Sequence, residues 1–299
     1  MIKQRVLIVG SNGMLGQRLT EYYLSKPNIE VYCTSNEDES FIKEVEYDKI
    51  DLADKKSVKK AINKFFPDVI INAAAYTAVD KCESEKELAW KINVTGVENL
   101  IHYAKATDSR IIHVSTDYVF DGEAGPYDET QTPNPISYYG RTKLASENSL
   151  KTSGIPHAII RTNVLYGPAK YGRPDFVKWV VTSLRDGKEI NIVDDQINNP
   201  TFLDDLVNGI DGLIRFKKSG LYNIGGKEFL DRYEFTLRIA EFFELDQSKI
   251  KRIKTADLNQ PARRPLKSGL IILKAETEIG YKPHTIEESL QVMKRELGL

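Results

Sequence analysis

Apolar and polar positions along the chain alternate between two rhythms. "RVLIVG" (5–10) is an almost unbroken apolar run, the pattern of a strand buried on both faces. "MLGQRLTEYYLSK" (14–26) spaces its apolar residues at helical intervals and stops before Pro27. The alternation continues with a strand at 29–35, a helix at 54–66 with a lysine-rich outer face, and a strand at 68–75. A long helix at 84–106, a strand at 110–115, a helix at 138–153 and a strand at 156–162 follow. This predicts an α/β fold, a doubly wound parallel sheet with helices on both faces. After about residue 163 turn signals crowd together, in "YGPAKYGRP" (166–174) and "DDQINNP" (194–200). Short strands at 189–193 and 220–226 are expected between helices at 177–187, 203–215 and 230–245. We therefore expect a dinucleotide-binding unit over 1–165 and a smaller mixed α/β substrate lobe over 166–299. Part of the second segment should return to the sheet, and the cleft between the two is the expected ligand site.

Composition narrows the class. Apolar residues make up 41% and charged residues 28% of the 299, as in a globular protein, and the net charge of −1 offers no field to recruit nucleic acid or an anionic membrane. No apolar run approaches the roughly 20 residues that cross a bilayer. The opening apolar run has strand length and lacks a signal peptide's pattern. With only Cys33 and Cys82 in the chain, the expectation is a cytoplasmic protein.

The first candidate chemistry lies in "GSNGMLG", where Gly10, Gly13 and Gly16 recur at a spacing of three between the first strand and the first helix. A tight turn there frees backbone N–H groups at a helix N-terminus, and the missing side chains let a pyrophosphate approach. That position makes the sheet Rossmann-like. The bland alternative is a tight strand–helix turn with no ligand. Asn12, Met14 and Leu15 complete the expected cradle. The second strand ends in "CTSN" (33–36), without an acid for a ribose hydroxyl or a base for a phosphate, although Glu37 and Asp38 follow. Small hydroxyls such as Ser35 can donate to a 2′-phosphate, so NADPH is favoured over NADH. Asp51 and Leu52, after a third strand, are expected beside an adenine ring; equally, Asp51 can be a helix cap or a loop acid.

A second pattern is Tyr139 and Lys143, one helical turn apart in "YYGRTK" (138–143). A lysine ammonium beside a phenol lowers the phenol's pKa and fits it to protonate a carbonyl oxygen. The same spacing occurs at Tyr22/Lys26 and Tyr166/Lys170, so position decides. The first ends a helix, and the second spans Gly167 and Pro168. Only Tyr139/Lys143 begins a helix soon after a strand end with hydroxyls, "HVSTDYVFDG" (113–122). Thr116 is the first choice to hydrogen-bond a substrate ketone and Ser115 the second. Otherwise both cap the strand end.

These stretches, with "NAAAYTAVDKCE" (72–83), "NVTGVENL" (93–100), "RTNVLYGP" (161–168) and "RRPLKSGL" (263–270), resemble the extended short-chain dehydrogenase/reductases, within them the dTDP-4-dehydrorhamnose reductase family. The resemblance covers essentially the whole chain. It implies reduction of a 4-keto-6-deoxy nucleotide sugar by NAD(P)H, with Thr116, Tyr139 and Lys143 as the catalytic set. It implies Ala73, Ala74 and Ala75 along the nicotinamide-ribose path and Asn93 steadying the site from the long helix. On the substrate side it implies Thr77, Val79, Asp80, Tyr118 and Asn163, beside Thr116. Arg263 or Arg264, with Thr201, is expected to hold the substrate diphosphate, since arginine forks bind phosphate bidentately; the alternative for "RRP" is a surface turn whose arginines pair with nearby acids. A nucleotide-sugar epimerase or dehydratase is the runner-up, although dehydratases of this broad class place an Asp-Glu pair after the Ser/Thr and here Asp117 and Tyr118 follow Thr116. "VLYG" is closer to the regulatory β subunit of methionine adenosyltransferase, a non-catalytic NADP-binding partner protein.

Some positions depart from the family pattern. Arg18 stands near the glycine loop where certain members carry a glutamate for a magnesium-linked dimer. No metal site is therefore expected, and the assembly is expected to be a monomer or a homodimer. His102, His113, His157 and His284 show no metal-ligand spacing, and Trp179 is expected in the core of the second lobe, with a base-stacking platform as the alternative.

Overall fold

A computed structural model describes residues 3–299. The first half builds β1 (Gln4–Val9), α1 (Met14–Leu24), β2 (Ile29–Ser35), β3 (Glu46–Lys49), α2 (Lys55–Phe65), β4 (Val69–Asn72), α3 (Val79–Ser84), α4 (Lys86–Trp90), α5 (Gly96–Ala106), β5 (Arg110–Thr116), α6 (Tyr138–Lys151) and β6 (His157–Thr162). The second half adds β7 (Leu165–Tyr166), α7 (Phe176–Arg185), β8 (Ile190–Val193), β9 (Ile197–Asn198), β10 (Thr201–Phe202), α8 (Leu203–Arg215), β11 (Gly220–Asn223), β12 (Leu230–Asp231), α9 (Arg232–Phe242), β13 (Ile250–Ile253), α10 (Leu273–Ile279) and α11 (Ile286–Leu297). Seven strands form one sheet in the order β11-β6-β5-β4-β1-β2-β3, and every pair in it is parallel. The order reverses between β1 and β4. Ligands of such sheets bind at that switch point, beyond the carboxyl ends of the strands.

The apolar run of β1 is explained by its two faces. Val6 and Ile8 pack with Leu15, Leu19 and Tyr23 of α1 and with Leu206, Val207 and Ile210 of α8. Leu7 and Val9 pack on the other side with Val58 and Ile62 of α2 and Val97 and Leu100 of α5. The segment after residue 166 thus contributes to two cores. β11 extends the main sheet beside β6, and α8 and α10 cover one of its faces. A separate core joins α7, α9 and α11 to β8 and β13, around Val180, Ile192, Phe235 and Leu290.

Two predicted elements differ from those observed. The single helix expected at 84–106 is interrupted by a π-helical turn over Lys91–Thr95. Asn93 sits in that turn, accepts from the Tyr76 N–H at 2.7 Å and donates to Thr142 Oγ1 at 2.9 Å. A wider turn re-aims a side chain at the cost of helical regularity, and such turns occur frequently at functional sites. The strand expected at 68–75 pairs only over Val69–Asn72, because residues 73–75 run past the end of the sheet into the cleft.

Candidate active site

Two adjoining clefts open at the carboxyl end of the sheet, one of about 620 Å³ and one of about 730 Å³. Each has the size of a small-molecule site. Gly10, Gly13, Met14, Leu15, Ser35, Ala73, Ala74 and Ala75 line the first. Gly10 has φ +84°, and a Cβ on it would lie 2.8 Å from the Ala74 backbone. Gly16 faces inward: a Cβ there would lie 2.1 Å from the Gly10 carbonyl oxygen, so this glycine serves helix–strand packing. α1 begins at Gly13 with no side-chain cap and no acid in its first turn. Its free N–H groups therefore face the cleft without a partner from a capping side chain, which fits the pyrophosphate of a dinucleotide. Asp51, Leu52, Ala74 and Ala75 line a further crevice of about 530 Å³ next to this loop. Asp51 accepts from the Ala53 N–H at 2.9 Å, while Asp54 caps α2.

Two expectations on this side are corrected. The Asn12 side chain does not enter the cleft. It donates to the Glu39 carbonyl at 2.8 Å and accepts from the Phe41 N–H at 2.9 Å, tying down the loop after β2. That loop also folds Glu37 back to the end of β2, where its carboxylate accepts from the Ser35 hydroxyl and lines the cleft. The strand end is therefore acidic in space although not in sequence. An acid there suits a ribose hydroxyl, and the Ser35 hydroxyl expected to donate to a 2′-phosphate donates to Glu37 instead.

Thr116, Tyr139 and Lys143 converge on the same cleft. Ser137 caps α6 by accepting from the Gly140 N–H at 3.1 Å. A Cβ at Gly140 would lie 2.1 Å from the Tyr118 carbonyl oxygen, so only glycine lets this helix start so close to the turn after β5. Burial, with Asp117 and Tyr118 nearby, raises the Tyr139 pKa, and only the Thr116 hydroxyl works the other way to a notable extent. Lys143 does not contact the phenol as the sequence suggested. Its Nζ donates to the Val114 carbonyl at 2.7 Å, and burial brings its pKa down to about 8. The phenol is thus fully protonated at neutral pH, the state a proton donor needs. Ser115 donates to Glu147 at 2.7 Å, which commits its hydroxyl to the interior. Thr116 accepts from the Tyr118 N–H at 3.2 Å and donates to Asp117 Oδ1 at 3.0 Å. His113 is buried and bonds to Asn72 and Ser146, and desolvation followed by the Lys143 charge keeps it neutral.

The second cleft is lined by Arg173, Asp175, Phe176, Trp179, Asn191, Gln196, Leu258 and Arg264. Five residues, Thr77, Tyr118, Val164, Leu165 and Arg232, line both clefts and form the wall they share. Val79 and Asn163 belong to the first cleft. Asp80 holds Arg264 through two parallel bonds of 2.6 and 2.7 Å. Four expectations are corrected here. Asp80, expected on the substrate, is committed to Arg264 and lines neither cleft. Of the two arginines, only Arg264 reaches a cleft. Arg263 is exposed and absent from either cleft lining. Thr201 is fully buried, donating to Asn163 and accepting from Thr162, and cannot reach a ligand. Trp179 is not core: it is 41% exposed and faces the second cleft, because Phe176 and Val180 take the inward positions of α7. The residue missed altogether is Arg232. It opens α9, stacks 4.8 Å over the Phe176 ring and, among the described residues, forms no salt bridge. Its only sequence signal is the cap Asp231 just before it.

Arg18 lies outside both clefts. It donates to Asp204 of α8 and to Glu296 of α11, joining three helices. Among the described residues no group of three His, Cys, Asp or Glu side chains has a metal-binding arrangement, and no helix is long and apolar enough to cross a membrane.

Residues 4–298 match the RmlD substrate binding domain family. The chain is 33% identical to the dTDP-4-dehydrorhamnose reductase of Aggregatibacter actinomycetemcomitans, over 96% of this chain and 97% of that protein. It is similar in structure to a dTDP-4-dehydrorhamnose reductase from Clostridium acetobutylicum, with a TM-score of 0.89, 34% identity, and 99% and 100% of the two chains covered. It is similar also to the Bacillus anthracis dTDP-4-dehydrorhamnose reductase solved in complex with NADP, with a TM-score of 0.87, 32% identity and the same coverage.

Proposed function

The chain belongs to the RmlD substrate binding domain family, and on that premise we propose that it reduces the 4-ketone of dTDP-4-dehydrorhamnose to dTDP-L-rhamnose with NADPH, a cofactor supported by the NADP bound in the Bacillus anthracis relative rather than by the end of β2. The observation that carries this reading is the shared wall. Thr116, Tyr139 and Lys143 open on the glycine-loop cleft next to Thr77, Tyr118 and Arg232, which also line the arginine-bearing cleft. A group lying across that wall touches both sides, as the sugar of a nucleotide sugar must.

The uncapped start of α1 would hold the dinucleotide pyrophosphate, Ala73–Ala75 would leave room for its ribose, and Lys143 would hold the ribose hydroxyls. When bound, the nicotinamide supplies the hydride for C4. Tyr139 donates its phenolic proton to the ketone oxygen, and Thr116 orients that oxygen by a hydrogen bond. Arg232 and Arg264 bind the substrate diphosphate, and Trp179 gives the base a face to stack on. The two buried, unpaired cysteines suit the cytoplasm. Neither role needs more than a monomer or a homodimer.

The direct test follows oxidation of NADPH and NADH with dTDP-, UDP-, GDP- and CDP-linked 4-keto-6-deoxy sugars. Stoichiometric, ketosugar-dependent oxidation is expected, strongest with the dTDP sugar. Product formation with the cofactor needed only in catalytic amounts would identify an epimerase or dehydratase instead.

The arginine assignment has its own test. Arg232→Ala and Arg264→Ala should each raise the KM for the sugar nucleotide about tenfold or more, the scale of one lost charged hydrogen bond. Cofactor affinity, read from NADPH fluorescence, should stay the same. Arg263→Ala should leave both constants unchanged; an equal effect at Arg263 would show that the diphosphate lies elsewhere.

A further inference from the structure

Asp117 is fully buried, follows Thr116 directly, and has no part in the reaction described so far. Its two oxygens take two hydroxyls, one from its neighbour in sequence and one from far along the chain. Thr116 Oγ1 donates to Oδ1 at 3.0 Å, and Ser268 Oγ, 151 residues further on, donates to Oδ2 at 2.5 Å. Thr116 is thereby caught in a conflict. Its oxygen already accepts the Tyr118 N–H, and its single proton is contested by Asp117 and the Tyr139 phenol, so with Asp117 ionised none is left free for a ketone.

A threonine hydroxyl has one donor and two acceptor positions. If Asp117 carries a proton on Oδ1, the bond reverses. Thr116 then accepts from both Tyr118 and Asp117, and its own proton turns to the cleft. Oδ2 still accepts from Ser268. We propose that Asp117 is a positioning residue, whose protonation state decides whether Thr116 donates to the substrate ketone or to Asp117. This inference rests on the reductase reading of the site.

The surroundings make both states accessible. Burial pushes the Asp117 carboxyl up to about 6, against the hydrogen bonds from Ser268 and Thr116 and the charge of Arg232. Arg232 from α9 is the cation facing it, Tyr139 from α6 and Tyr118 from its own turn are the titratable neighbours, and Ser268 is neutral. The neutral acid, which frees Thr116, is the form below about pH 6, so kcat should fall as pH rises through that titration.

Asparagine copies the neutral acid: its amide N–H donates where the acid proton did, and its oxygen accepts from Ser268. Asp117→Asn should therefore keep at least the wild-type kcat at neutral pH and lose this limb of the pH profile, with KM for the sugar nucleotide unchanged. Asp117→Ala should lose kcat about tenfold or more at every pH, as Thr116 loses its partner. Ser268→Ala removes a bond that favours the carboxylate, so its limb should move to higher pH. A catalytically active wild type whose limb persists in Asp117→Asn, or stays in place in Ser268→Ala, overturns the inference alone. A wild type inactive with every ketosugar tested overturns the reductase reading beneath it.

Discussion

Tyr139→Phe is expected to lower kcat for ketosugar reduction by about 10² or more, the loss that follows removal of a general acid. The reason is local. Burial and the neighbouring Asp117 hold the phenol protonated, so a proton is in place at the position where the ketone oxygen must gain one. Phenylalanine keeps the ring and its edge-to-face contact with Tyr118, whose centroid lies 5.7 Å away. KM for the sugar nucleotide and the fluorescence-measured affinity for NADPH should therefore change little. Single-turnover kinetics at saturating sugar would isolate the step. A rate within a few-fold of wild type would remove Tyr139 as the proton donor.

The largest expected effect on stability lies behind the site. Glu147 of α6 and Arg161 of β6 are both buried and form two parallel bonds of 2.9 and 2.7 Å, with Ser115 adding a third to the same carboxylate. Burial alone would raise the Glu147 pKa, but Arg161 and Ser115 outweigh it and hold it below the ordinary carboxylate range. Breaking such a pair from one side leaves a bare charge in the interior. Glu147→Ala should destabilise the fold by about 3–5 kcal/mol, because the Arg161 guanidinium keeps only the Phe120 ring, 4.9 Å away. Urea unfolding should show the midpoint fall with little change in slope. A shift worth less than about 1 kcal/mol would mean that water reaches Arg161. Because α6 also carries Tyr139 and Lys143, the variant should lose activity beyond its loss of folded protein.

The fold was legible because its signals are local. A strand buried on both faces reads as a continuous apolar run, and a helix over a sheet reads at a period near 3.6. Gly10–Gly16 was readable for the same reason, and Tyr139/Lys143 was picked out from two other pairs of equal spacing by its place in the strand–helix order. The errors share the opposite character. Arg264 was separable from Arg263 only through Asp80, 184 residues away. Thr201 looked like a ligand residue until the β10 backbone brought it against Asn163 and Thr162. Glu37 follows a strand end in sequence but returns to it through Ser35 and the Asn12 anchor. Arg232 has no motif, and its position depends on where α9 begins relative to two clefts. Helix periodicity also gave no warning of the π turn, since one extra residue per turn is set by what Asn93 reaches.

The packing of α8 and α10 on the main sheet bears on how the chain acquires its shape during synthesis. When residue 165 has been made, six of the seven sheet strands exist, yet the face formed by Val6, Ile8, Ile71 and Ile112 still lacks Leu206, Ile210, Ile272 and Ile279. The β6 edge is also open until β11 arrives. The nascent glycine-loop half therefore emerges with one apolar face covered by α1 alone and one unpaired strand edge, the two features that expose a folding intermediate to association with others. Arg18 reaches Glu296 only when the last helix is made. Folding of the early half is thus coupled to translation of almost the whole chain, and a slow ribosome over the later half would prolong the interval in which a chaperone is needed.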